Sequence, residues 1–248
     1  MLSFMSLLMI AVNILSFCVT GQCISHLTAH QEPVHGLTWL PQTGGTGSDM
    51  GGHGDRVLIS GDEGGVLLAH DIRSRAPIWR FSLPAPNTSD ESHANKRQHG
   101  VCRIASNVYG GKCVLGIGRA QGFISTLQLD HPFSKPPSAS SVRTRSLASD
   151  DIRALLFLPY TNIDTSLLLT TSFDVSAGIW GLRNDKQYHS LNISKSPNTA
   201  LADDTNKPKM DPFDSIHTDK MLSCCVNMYN EDILTSGADG KVILWSVV

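Results

Sequence analysis

The residues of this 248-residue chain whose types could do chemistry are ten histidines, six cysteines and two Asp-Asp pairs. Their spacing points away from a reaction centre. The ten histidines are scattered, and no H-E-x-x-H and no H-x-H pair occurs among them. Cys18, Cys23, Cys102, Cys113, Cys224 and Cys225 form no C-x-x-C, which argues against a zinc ribbon or a dithiol redox pair. They are expected to be buried as small hydrophobes. Asp150-Asp151 and Asp203-Asp204 lack the spacing of a calcium loop and are expected to be solvated. Gly116-Ile-Gly118-Arg-Ala-Gln-Gly122 spaces its glycines one residue too far apart for a dinucleotide fingerprint, and no helix pattern follows. It reads as a strand entering a turn. No G-x-S-x-G elbow is present. The chain is therefore expected not to be an enzyme, with no catalytic residues, no metal and no cofactor.

The elements that position these residues are short strands. Charged residues are 17%, against roughly 25% in an ordinary soluble domain. Glycine, at 21 residues, suits many strands joined by turns. A net charge of −2 gives no basic footprint, so no nucleic-acid partner is expected. Residues 1–21 stand apart. Leu2 to Val19 is strongly apolar, and Val19 and Gly21 stand at −3 and −1 to a cut before Gln22, as in a signal peptide. Yet no Lys or Arg precedes Arg56, and eighteen residues containing Ser and Asn are marginal for a spanning helix. Three readings stay open: a signal or membrane anchor, a buried element, or a start that does not belong to the repeat pattern described next. Asn87-Thr88-Ser89 and Asn192-Ile193-Ser194 are glycan acceptors under the first reading only.

Residues 22–248 carry an internal repeat. Val34-His-Gly-Leu37-Thr-Trp39-Leu40-Pro41 and Ile152-Arg-Ala-Leu155-Leu-Phe157-Leu158-Pro159 match in their apolar offsets and both end in Leu-Pro. Val101-Cys-Arg-Ile104 and Met221-Leu-Ser-Cys224-Cys-Val226 fit more loosely. Each is followed by a second signal, a strand, a tight turn and a strand. Ser236-Gly-Ala-Asp239-Gly240-Lys-Val242-Ile-Leu244-Trp245 is the clearest copy, with Asp and Gly supplying the turn. Thr171-Ser172-Phe-Asp174 leading to Ile179-Trp180, Ser60-Gly61-Asp62-Glu63-Gly64 and Gly118-Arg-Ala-Gln121-Gly122 are the others. The turn residues Glu63, Gln121, Asp174 and Asp239 lie 58, 53 and 65 residues apart. That exceeds the about 40–45 residues of a propeller repeat. The excess is assigned to long disordered loop insertions at Thr43–Gly54, Pro84–Gln98, His131–Ser149 and Ser190–Pro212.

This pattern resembles the WD40 repeat, a four-stranded propeller blade. In that family a histidine before the first strand bonds an aspartate in the turn, and a Ser or Thr and a Trp complete a tetrad. The resemblance implies one full tetrad, His217, Ser236, Asp239 and Trp245, and a partial one, His30, Ser60 and Glu63, with Ala69 or His70 where Trp belongs. Trp180 is kept in the third repeat, and His99 is two residues out of register in the second. It implies an all-β, WD40-type β-propeller, incomplete or open, with about four recognisable blades near residues 30–83, 97–130, 150–189 and 216–248.

What the resemblance implies for function is a non-enzymatic protein-protein interaction scaffold, cytoplasmic or nuclear. Many WD40 substrate receptors dock onto the propeller adaptor of a cullin-RING ubiquitin ligase through apolar residues, Ser-Gly, an acid and Trp-Asp-x-Arg. Val57-Leu58, Ser60-Gly61, Glu63 and His70-Asp71-Ile72-Arg73 follow that order, with His70 for Trp and one extra residue of spacing. Asp71 and Arg73 are thus the candidate partner-binding residues. The alternatives are a secreted or membrane-tethered structural β-domain and a truncated, non-functional propeller fragment.

Overall fold

The computed structural model describes residues 6–10, 14–19, 22–41, 57–71, 74, 76–86, 100–109, 112–130, 133–158, 166–182, 190–192, 217–227 and 232–245. They form eighteen strands in five antiparallel sheets, each a meander in chain order. The first sheet holds β1 (Ser6–Ile10), β2 (Ile14–Val19) and β3 (Gln22–Leu27). Blade 1 holds β4 (Val34–Trp39), β5 (Val57–Asp62), β6 (Val66–Asp71) and β7 (Pro77–Ser82). Blade 2 holds β8 (Val101–Tyr109), β9 (Lys112–Arg119), β10 (Phe123–Leu129) and β11 (Arg143–Ser146). Blade 3 holds β12 (Ile152–Phe157), β13 (Ser166–Ser172), β14 (Ala177–Leu182) and β15 (Ser190–Asn192). Blade 4 holds β16 (Met221–Val226), β17 (Ile233–Gly237) and β18 (Val242–Trp245).

The apolar N-terminal stretch holds β1 and β2; β1 pairs with β2, and β2 pairs with β3 across the boundary at residue 21, Val19 opposite Gln22. Two sequence expectations change here. The polar stretch His131–Ser149 is not all loop: Arg143–Ser146 is the outer strand of blade 2, paired with β10. An outer edge strand is solvated and needs no apolar alternation, so its Arg-Thr-Arg-Ser sequence carries no strand signal. Likewise Ser190–Asn192 pairs with β14, which makes Asn192 the last residue of a strand. The Thr43–Gly54 insertion lies outside the described residues.

The blades repeat closely. The pairing of each innermost strand with its neighbour is bulged at one place: Val34/Gly36, Val101/Arg103, Ile152/Ala154 and Met221/Ser223. A bulge inserts one unpaired residue and bends the strand, which re-aims its neighbours. The shared bulge fixes the alignment of the blades residue by residue. The innermost strands β4, β8, β12 and β16 are neighbours in that order.

In blades 1 to 3 both faces of the sheet are covered, so the middle strands read as continuous apolar runs rather than alternating ones. β5 and all of β9 but its first residue are buried on both sides. Each blade lays its leading face on the trailing face of the blade before it. Ile59, Leu67 and Ala69 of blade 1 pack with Leu115, Ile117 and Leu127 of blade 2. Ile124 of blade 2 packs with Ile152, Leu155 and Leu168 of blade 3, and Leu169 and Ile179 of blade 3 with Ile233 and Trp245 of blade 4. The approach is close enough to require glycine. A Cβ on Gly61 would lie 2.7 Å from Val101 Cγ1 and 2.9 Å from Ile104 Cδ1 of the next blade.

Candidate functional site

Two blades carry a linear hydrogen-bonded chain of four side chains. In blade 4, His217 Nδ1 lies 3.1 Å from Asp239 Oδ1 and its Nε2 lies 2.9 Å from Thr235 Oγ1. The Trp245 indole N–H donates to the same Thr235 oxygen at 2.8 Å. The Asp239 carboxylate only accepts, so the His217 proton sits on Nδ1, and the Thr235 hydroxyl, which accepts from the indole, gives its own hydrogen to the bare Nε2. In blade 1, His30 Nδ1 lies 2.7 Å from Asp62 Oδ2, and Ser60 Oγ bridges His30 Nε2 at 2.7 Å and His70 Nε2 at 3.0 Å.

The structure corrects two residues of the expected tetrads. Thr235, not Ser236, is the hydroxyl of blade 4. Successive strand residues face opposite sides, and Thr235 shares the buried leading face with Ile233 while Ser236 faces the other way. Glu63 is exposed, and the blade 1 carboxylate is Asp62, 1% exposed. Where Trp belongs, the register puts His70 opposite Leu58, as it puts Trp180 opposite Leu168 and Trp245 opposite Ile233. His70, not Ala69, takes that place.

The two carboxylates reach one position from different places in the turn. Gly65 N–H bonds Asp62 O and Gly240 N–H bonds Gly237 O, which aligns Asp62 with Gly237 and Gly64 with Asp239. Asp62 Oδ1 accepts from Val66 N–H at 2.8 Å, and Asp239 Oδ1 from Lys241 N–H at 3.1 Å, the aligned donor. Glycine stands where the other blade has its acid because the carboxylate fills that space: a Cβ on Gly237 would lie 2.6 Å from Asp239 Oδ1 and 2.6 Å from His217 Nδ1.

Blade 3 keeps half of the network. Trp180 N–H donates to Thr170 Oγ1 at 2.8 Å, and Asp174 accepts from Ser149 N–H at 2.7 Å and Ser176 N–H at 2.9 Å. The bulge alignment puts Ala148 where blade 4 has His217. Blade 2 has no such chain among the described residues: Ile117, Arg119 and Leu127 occupy the aligned positions, and His99 lies outside the described residues. Arg119 is fully buried and donates to Pro84 O at 2.9 Å.

The electrostatics suit a structural role. Burial alone would raise the Asp239 carboxyl, but the Thr218 and Lys241 backbone N–H groups and His217 override it and hold it at about 2. Asp174 is held below the ordinary range against the same burial, by Ser176 and by the Ser149 backbone. Burial, with His30 beside it, pushes the His70 imidazole down to about 4. His70 Nδ1 is buried with no hydrogen-bond partner, which also disfavours a second proton. Asp-His-Ser and Asp-His-Thr are the residue types of a nucleophilic triad. Here the hydroxyl-bearing residues Ser60 and Thr235 are 0% and 1% exposed, and each already bridges two rings, so no substrate carbonyl reaches them.

The remaining expected residues are scattered. Asp71 ends β6 opposite Val57, half-buried, with its carbonyl accepting from Ser74 N–H at 2.8 Å. Arg73 and Asn87 lie outside the described residues, as does Asp203-Asp204. Asp150 and Asp151 are half-buried and each caps a backbone N–H: Asp150 Oδ1 accepts from Asp151 N–H at 2.7 Å, and Asp151 Oδ1 from Gln121 N–H at 3.0 Å. Cys102 and Cys113 are buried, and burial pushes their thiols up to about 12. Cys225 departs from expectation by being exposed.

The fold is that of a WD40-type propeller. No family model and no curated protein matches the chain. Among solved structures, it is similar to a chain of the mitotic checkpoint complex, at 17% identity and a TM-score of 0.55 over 95% of this chain and 59% of that one. It is also similar to U3-55K, at 17% identity and a TM-score of 0.54 over 89% of this chain and 51% of that one. The computationally designed Ika4 protein shows 13% identity and a TM-score of 0.50, covering 90% of this chain and 96% of that one. The chain thus spans little more than half the length of the two natural neighbours.

Proposed function

We propose that this chain is a non-enzymatic WD40 scaffold that binds other proteins. One observation carries the reading. The Asp-His-hydroxyl groups that could do chemistry are spent inside the sheets, locking turns to strands, with their hydroxyl-bearing residues at most 1% exposed. A rigid stack of sheets then presents its connecting loops as a binding surface, which is how propellers commonly serve.

The finer reading is a substrate receptor of a cullin-RING ubiquitin ligase, working in the cytoplasm or nucleus. Its support is in the sequence. His70-Asp-Ile-Arg-Ser74, Leu169-Thr-Thr-Ser-Phe-Asp174 and Ile179-Trp-Gly-Leu182 resemble the matching segments of WD repeat-containing protein 53. An arginine two residues beyond Asp71 would offer a planar fork of donors to a carboxylate or to backbone carbonyls of the adaptor. Adaptor capture by the purified chain tests this. The Arg73→Ala variant is expected to lose capture while keeping its melting temperature, and equal capture by wild type and variant would overturn the assignment.

A further inference from the structure

The fixed register lets one surface be compared across four blades. The trailing face of each blade is defined by four aligned positions, two on the second strand and two on the third. In blade 1 they are Ile59, Gly61, Leu67 and Ala69, and in blade 3 Leu169, Thr171, Ala177 and Ile179. All eight are buried, as are Gly116, Gly118, Ile124 and Thr126 of blade 2, because the next blade covers them. In blade 4 the same positions are Leu234, Ser236, Val242 and Leu244. There Leu234 is 36%, Val242 69% and Leu244 61% exposed. Cys225, opposite Leu234 on the neighbouring strand, is exposed on the same side.

These side chains have the composition of a covered face, not of a solvated one. What covers the aligned face of blade 3 is in the structure: the leading face of a blade, with Ile233, Cys224, Val226 and Trp245. A partner for blade 4 therefore needs the same chemistry, an apolar leading face of a β-sheet. The chain has one sheet with no described blade in front of it, β1–β3. Its register sets Leu7 opposite Phe17 and Met9 opposite Leu15 in one alternating set, an apolar row like that of a covered blade face, while the other set pairs Ser6 with Cys18, Leu8 with Ser16 and Ile10 with Ile14.

We infer that the trailing face of blade 4 is an interface for a second copy of this chain, which seats its β1–β3 sheet there as blade 4 seats on blade 3. The contact is head-to-tail, so it joins two different surfaces and either closes or grows. It concerns self-association and is independent of the ligase reading.

The test is the mass of the full chain in solution by light scattering over a dilution series. Wild type is expected to run at twice the 26.9 kDa chain mass or more and to dissociate on dilution. Val242→Lys with Leu244→Glu, both at exposed positions, is expected to run as a monomer and to melt as wild type does when diluted until it dissociates. Should the double variant melt early, Val242→Lys alone applies the same test. A Leu244→Cys chain is expected not to crosslink to itself through the new thiol, since the two copies meet through different surfaces. A wild-type monomer at all concentrations, assembly undiminished by the substitutions, or ready self-crosslinking of the Leu244→Cys chain at that position would each overturn the assignment.

Discussion

Asp62 and Asp239 hold equivalent histidines from turn positions two residues apart, at 2.7 Å from His30 and 3.1 Å from His217. The backbone is the same in both turns, down to the positive φ of Gly65 (80°) and Gly240 (74°). Only the residue that launches the carboxylate has moved.

An exchange of the two positions is therefore expected to be tolerated where the single loss is not. Asp62→Gly leaves His30 Nδ1 and Val66 N–H without their acceptor, a loss of about 1–3 kcal/mol. Adding Gly64→Asp, which copies the arrangement of blade 4, is expected to recover at least half of it. Denaturant midpoints of wild type, single and double variants decide this. A double variant less stable than Asp62→Gly would show that the turns are not interchangeable.

The hydroxyl assignment makes a second pair of expectations. Thr235→Val keeps the shape but strands His217 Nε2 and the Trp245 indole N–H, at a cost of about 1–3 kcal/mol. Ser236→Ala, on the opposite face, is expected to stay within about 0.5 kcal/mol. Urea unfolding of the two single variants separates them, and a reversed order would return the role to Ser236.

Much of this is legible in the sequence, for reasons visible at particular residues. The Leu40-Pro41 end after β4 and the Asp-Gly turn at Asp239 lie where strand geometry demands them, so repeat and fold class follow. The tetrads miss by one residue each because a strand repeats every two residues: Ser236 and Thr235 are both good hydroxyls, and only the face decides. Glu63 stands in for Asp62 because a sequence comparison aligns acids, whereas the structure aligns the backbone and lets the acid move. β11 gives no signal because an outer edge strand with sequence Arg-Thr-Arg-Ser carries no apolar alternation. The exposure of Cys225 follows from which blade faces are covered, which no local pattern encodes.

Gly122 is expected to be the least replaceable turn residue. Its φ is +75°, and a Cβ there would sit 2.0 Å from the carbonyl oxygen of Ala148, which precedes the inner strand of the next blade. Backbone cannot step aside as a side-chain tip can. Gly122→Ala is expected to destabilise by more than about 2 kcal/mol, through left-handed strain and the clash together. Gly240→Ala shares the sign of φ, +74°, but meets nothing within 4 Å, so it is expected to cost about 1 kcal/mol. Thermal melts of the two variants give the comparison, and equal losses would mean that the contact with Ala148 adds nothing.

His70 should give the fold a specific dependence on pH. Burial and the neighbouring His30 lower it from 6.5 to about 4. Between those values the unfolded chain takes up a proton that the folded chain refuses, so the unfolded state binds more protons and stability falls as pH falls. The contribution is intact above about pH 6.5 and lost progressively toward pH 4, on the order of 3 kcal/mol in all. Asp239 acts in the same direction but lower down: held at about 2 against 3.8, its stabilisation is intact above pH 3.8 and fades toward pH 2. The two windows do not overlap, so they can be read separately. His70→Gln keeps an N–H donor for Ser60 but cannot titrate. Urea midpoints measured from pH 7.5 to 4.5 are expected to fall more steeply for wild type than for His70→Gln, and parallel slopes would exclude His70 as the source.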